Sequence, residues 1–122
     1  MDIKEWKAKD PNECFAVAFD FSARLTNVTG AKISVECVKG VDDSPELMLY
    51  GNPQFTGGVV KQRIIGGIDK NKYKFKCLAT DGVESHAAAA LLPIVSLGKI
   101  GVSAAASIVE GNDTVVVSAT VV

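Results

Sequence analysis

Lys72-Tyr73-Lys74-Phe75-Lys76-Cys77 alternates a cation with an aromatic or thiol side chain at every step. Side chains of an extended chain point to opposite faces with period two, so this hexapeptide predicts a strand with one face in a core and the other an all-lysine ridge. The same period recurs on both sides of it. Phe15, Val17, Phe19 and Phe21 alternate with Ala16, Ala18 and Asp20, and Ile33, Val35 and Cys37 alternate with Ser34 and Glu36. Leu47 and Leu49 alternate with Met48 and Tyr50, and 60–65 is a more continuous apolar run. The run 86–92 supplies a further strand closed by Pro93; its alanines favour helix, but its length and the following proline favour extension. Gly30, Gly40, Pro53, Gly57, Gly58, Gly66, Gly67 and Gly82 fall between the runs, where turns belong.

Six or seven short strands at near-regular spacing, with no capped helical period, predict an all-β chain. The expected architecture is an Ig-like antiparallel β-sandwich with an N-terminal arm over 1–97, followed over 98–122 by a C-terminal β-hairpin extension. At 122 residues, one core fits and a second full domain does not. The net charge of −1 provides no global field toward nucleic acid or anionic lipid. The charged start MDIKEWKAKDPNE lacks the apolar stretch of a secretory signal, and no run reaches the ~20 apolar residues of a membrane span. A soluble protein made in a cytoplasm, with no membrane partner, is therefore expected. Cys14, Cys37 and Cys77 are too far apart for a CxxC metal motif and read as buried free thiols; a Cys37 to Cys77 bridge between facing sheets is the alternative.

The segment 98–122 has a composition of its own. GVSAAASIV and TVVVSATVV flank the turn EGND, with Glu110 and Asp113 the only charges after Lys99. Such a ribbon lacks the gatekeeping charges of an exposed edge and reads as an assembly element. Three placements are open: packed on its own sandwich, added to a neighbour's sheet, or paired with symmetry mates, with use between molecules favoured.

Several unrelated pieces in a fixed order resemble small structural proteins of tailed bacteriophages, the fibre-to-tail adaptor or Ig-like virion proteins. The pieces are Lys9, Asp10 and Pro11; Phe19, Asp20, Phe21, Ser22, Arg24 and Leu25; Gln62, Arg63, Ile64, Gly66 and Gly67; and Tyr73 with Cys77. The match covers roughly 5–95, and the ribbon lies beyond it. Antibody-type details depart: Trp6 is the sole tryptophan and lies outside the interval between Cys37 and Cys77, and Phe75 stands two residues before Cys77 where a tyrosine would be expected. The resemblance implies a non-enzymatic virion component, a tail adaptor bridging fibre and tail. A capsid decoration protein is the alternative, and a carbohydrate- or receptor-binding module a further one. Implied partners are other virion proteins in a homo-oligomer or ring.

Candidate interface residues follow from chemistry. Trp6 is either an anchor for a partner's pocket or a lid folded over its own sandwich. Gln62 and Arg63, beside the glycine pair, either clasp a neighbouring subunit or precede a tight turn in solvent. Val102, Ile108, Val115, Val117 and Val121 supply the apolar surface of the ribbon. Six cations against Asp69 give 61–76 a local charge of +5, which reads as a solvated lysine face more readily than as a nucleic-acid site. His86 is the only histidine, no cluster suits a metal or cofactor, and Asp42, Asp43 and Glu46 read as an acidic turn. No catalytic, cofactor or metal residues are expected.

Overall fold

The computed structural model describes residues 3–98 and the backbone of 116–120. Its strands are β1 (Lys4–Glu5), β2 (Phe15–Asp20), β3 (Gly30–Lys39), β4 (Leu49–Thr56), β5 (Val59–Ile64), β6 (Lys72–Thr80), β7 (Ser85–Pro93) and β8 (Val116–Thr120). They form two four-stranded sheets, in the orders β1-β7-β6-β3 and β4-β5-β2-β8. Pairing is antiparallel except for β1 with β7 and β2 with β8. The all-β sandwich expected from the alternation is present. Its order is that of an immunoglobulin-type domain, with β2, β5 and β4 in one sheet facing β3, β6 and β7 in the other. The place beside β2 that an N-terminal strand takes in those domains is taken here by β8.

The inward faces are those read from the sequence. Phe15, Val17, Phe19 and Phe21 from one sheet meet Tyr73, Phe75, Cys77, Ala90 and Leu92 from the other, with Val60 and Ile64 beside them. Lys74 and Lys76 point outward from β6, and Glu36 stands opposite Lys74. Lys72 pairs with Glu5 at 3.0 Å.

Two open alternatives are decided and one expectation is corrected. Trp6 is no surface anchor: it is 3 % exposed, with its ring centroid 5.5 Å from that of Phe19 and 6.0 Å from that of Phe75. Its backbone N–H donates to the Leu91 carbonyl at 2.8 Å, so pairing of the arm with β7 carries the ring into the core. The Cys37 to Cys77 bridge is excluded because both residues lie in one sheet, where Ile33 is the register partner of Cys77 and Tyr73 that of Cys37. Four strand residues separate their registers by about 13 Å, well over the ~7 Å that a disulfide tolerates between Cα atoms. All three cysteines are free, with Cys77 buried and its thiol pushed up to about 12 by that burial, and with Cys14 exposed. Finally, Pro45–Met48 is a 3-10 turn, and β4 starts only at Leu49. The turn reverses the expected phase, burying Met48 and leaving Leu47 exposed.

Gly57 and Gly58 join β4 to β5 in a two-residue hairpin with positive φ at the first glycine only, the pattern of a type II′ turn. A Cβ on Gly58 would lie 2.5 Å from the Leu25 carbonyl oxygen, so the segment after β2 requires glycine there.

Trp6 fills the space between the sheets where a disulfide would otherwise tie them. Trp6→Ala is expected to lower unfolding stability by about 3–5 kcal/mol, measured by urea denaturation followed by circular dichroism. A loss under about 1 kcal/mol would contradict the placement of the ring in the core.

Candidate interaction surface

At one end of the sandwich four segments converge: the arm 9–14, the β3–β4 connection, the β5–β6 connection and the exit from β7. Their backbones would leave many polar groups unpaired, and side chains from the arm and from β6 satisfy them. Lys9 is fully buried, and its Nζ donates to the Gly66 carbonyl at 2.6 Å and to the Asp10 carbonyl at 2.9 Å. Burial pushes its amine below the usual lysine range, against the opposing pull of Glu13, Cys14 and Asp10. The Lys9 backbone donates to Pro93 and accepts from Val95, each at 2.9 Å, extending a single parallel bridge to Ile94.

Asp10 accepts from the Leu97 N–H at 2.7 Å and from the Asn12 N–H at 2.7 Å. These backbone donors, Leu97 foremost, hold its carboxyl below the ordinary value. Gly67, at φ +102, passes close under Ile94: a Cβ there would lie 2.8 Å from the Ile94 Cδ1 atom.

Tyr73 completes the clasp. Its hydroxyl donates to Asp42 Oδ2 at 2.6 Å and accepts from the Ile68 N–H at 3.1 Å and from Asn71 Nδ2 at 3.4 Å. Asn71 Nδ2 also donates to the Val41 carbonyl at 3.0 Å. A tyrosine at the start of this strand, bonded to backbone a few residues upstream, is the tyrosine corner of immunoglobulin-type domains. Here it stands four residues before Cys77, where the two-residue spacing rule does not find it. Burial first, then the bond to Asp42, raises the Tyr73 hydroxyl above its ordinary value.

The clasped loops carry large apolar side chains facing solvent. Val41 is 79 % exposed, Leu47 71 % and Leu97 82 %, with Ile68 and Val95 about half exposed. Isolated exposed apolar residues are ordinary, but five on three of the four hydrogen-bonded segments at one end make a surface. Sequence reading missed it, placing Leu47 in the core and passing over the others as loop residues. The available signal was apolar side chains inside breaker-rich segments.

Gln62 does not face a partner. It is 1 % exposed and points inward between Val60 and Ile64. Its Nε2 donates to the carbonyls of Tyr50, Gly51 and Arg63, at 3.3, 3.1 and 2.9 Å. The β4–β5 register shifts between Tyr50 and Gln54, and Gln62 satisfies carbonyls at the edge of that irregularity. Arg63 is exposed on the outer face of β5, in register with Tyr50 and Ala16. The +5 segment is split: Lys61 and Arg63 face out from one sheet, while Lys74 and Lys76 face out from the other. His86 Nε2 lies 2.9 Å from Glu84 in an exposed hairpin. Among the described residues no three His, Cys, Asp or Glu side chains are placed to hold a metal ion. Val102, Ile108, Val115 and Val121 lie outside the described residues; Val117 belongs to β8, in register with Val17.

No family model matches the chain, and neither a curated protein nor a solved structure matches it. The surface is therefore read from its own chemistry.

Tyr73→Phe leaves the Asp42 carboxylate and the Ile68 N–H without their shared partner, and a loss of about 2 kcal/mol in unfolding free energy is expected by urea denaturation. Asp10, with its folded pKa depressed, contributes stability that is full above the unfolded carboxylate pKa near ~4 and is lost as pH falls through the lower folded value. Between about pH 6 and about pH 3 the native chain should therefore lose more stability than Asp10→Asn, measured by the shift of the urea midpoint. Equal losses would remove Asp10 from the clasp.

Proposed function

We propose that this chain is a non-enzymatic assembly protein that works by being held, through the apolar end of the sandwich, against other subunits of a tailed-phage virion as a fibre-to-tail adaptor. The observation that carries the association is the exposure of Val41, Leu47, Ile68, Val95 and Leu97 on loops fixed by Lys9, Asp10, Asn71 and Tyr73. A surface that is apolar and already ordered gives up little conformational entropy on binding, which favours a permanent contact. The phage assignment is supported by the motif resemblance. Its pieces Lys9-Asp10-Pro11, Gly66-Gly67 and Tyr73 meet in the clasp, so what resembles virion proteins is the frame that presents this end.

The test is light scattering of the purified chain over a concentration series, beside Leu47→Glu/Leu97→Glu. Both positions are exposed, so the variant should keep the native unfolding free energy within about 0.5 kcal/mol, measured by urea denaturation. Association by the native chain that is lost in the folded variant is the expected result. A native chain that stays monomeric up to about 1 mM, where tethered assemblies operate, would overturn the association reading.

A further inference from the structure

We propose that the outer edge of β3 pairs with the same edge of a second copy, antiparallel about a twofold axis through Ser34. This contact goes beyond the apolar end, since β3 runs along the side of the sandwich. β3 closes the sheet β1-β7-β6-β3 and pairs with β6, so among the described residues its other edge has no strand beside it. Along its ten residues, every second one directs its N–H and C=O away from β6, an open template for another strand.

Two other outer strands are guarded against such pairing. β1 is two residues long. β4 loses register between Tyr50 and Gln54, where Gly51 has a positive φ and Pro53 lacks an N–H. β3 instead holds an unbroken register with β6 from Gly30 to Cys37 and contains no proline. Its side chains show the same openness. Tyr73, Phe75 and Cys77 of β6 are fully buried, whereas Ile33, Val35 and Cys37 on the same face of β3 are half-buried, because one flank of each meets no neighbouring strand. A strand added at this edge would cover them.

The outer face of β3 identifies the partner. Lys32, Ser34 and Glu36 are all exposed there, and among the described residues neither charge is ion-paired. Glu36 stands opposite Lys74 within its own sheet, while Lys32 stands opposite the apolar Leu78. Antiparallel pairing centred on Ser34 puts Lys32 of each copy opposite Glu36 of the other, and sets Ile33 opposite Val35 on the inner face. Opposite charges on directly facing residues stabilise a strand pair, and like charges there destabilise it. Sliding one copy by two residues leaves both charges opposite neutral residues, and sliding it by four sets Lys32 against Lys32 or Glu36 against Glu36. One register therefore satisfies both charges, and the twofold axis satisfies them twice. The pair joins two four-stranded sheets, each β1-β7-β6-β3, edge to edge at β3.

The experiment traps the pair covalently in the full chain, because an isolated contact of two strands is marginal in water. Cys14→Ser removes the exposed native thiol, and Ser34→Cys places a thiol on the axis, where facing Cα atoms lie about 4.5–5.5 Å apart, within disulfide reach. Oxidation at about 0.5 mM should yield at least about tenfold more covalent dimer, read by non-reducing electrophoresis, than Ser85→Cys, an exposed thiol away from this edge. Adding Lys32→Glu, or adding Glu36→Lys, opposes like charges twice and should lower the yield by about tenfold. An equimolar mixture of those two variants sets opposite charges face to face again and should restore it. Should either variant fail to fold by circular dichroism, Lys32→Asp or Glu36→Arg supplies the same charge. A yield at Ser34→Cys no higher than at Ser85→Cys, or a mixture no better than its components, overturns the edge pairing. So does a yield that vanishes in Leu47→Glu/Leu97→Glu, which would make the linkage a by-product of the apolar end. Failure to trap the pair while light scattering still shows association removes the β3 contact alone and leaves the assembly reading standing.

Discussion

The indole of Trp6 lies against Phe19 of one sheet and Phe75 of the other, and the sandwich depends on that contact. Antibody domains tie the corresponding sheets with a disulfide and pack a tryptophan from within the sandwich against it. Here there is no disulfide, and the tryptophan arrives from an N-terminal arm held beside β7. Holding the arm in place is thus a condition for filling the core. That requirement explains why so much polar structure is invested just downstream, at Lys9 and Asp10.

The clasp follows from that constraint. Lys9 reaches the Gly66 carbonyl, Asp10 catches the backbone after β7, and Tyr73 and Asn71 tie the β3–β4 connection to β6. Buried polar groups of this kind are costly unless every member finds a partner, and these do. One consequence is positional. The end of the sandwich held by these bonds is also one where apolar side chains meet solvent and where the chain leaves β7. Rigidity, exposure and exit coincide there, which suits a joint between subunits.

The fold was largely legible in the chain. Alternation in 15–21 and 72–77 assigned inward and outward faces correctly, because the period of a strand is a local property that tertiary contacts do not alter. The interface was less legible. Trp6 was open between anchor and lid because exposure depends on what the arm packs against. Gln62 carried an overlooked signal: it sits in phase with Val60 and Ile64, so its position already placed it inside, although amide chemistry suggested the surface. Leu47 misled in the opposite direction, since the 3-10 turn after Pro45 breaks the alternation that assigned it to the core. The cations of 61–76 looked like one patch because sequence proximity ignores that β5 and β6 belong to different sheets.

By itself, the sequence determined the strand content, the inward faces of 15–21 and 72–77, the glycine turns and the scarcity of charge in the C-terminal stretch. Each of these follows from local stereochemistry or composition. Only the tertiary structure decided that Trp6 is core, that Lys9 is buried against carbonyls, that Cys37 and Cys77 share a sheet, and that β8 runs parallel beside β2. Those outcomes depend on which strands become neighbours. Neighbours are chosen by closure of the whole core, which no window of sequence contains.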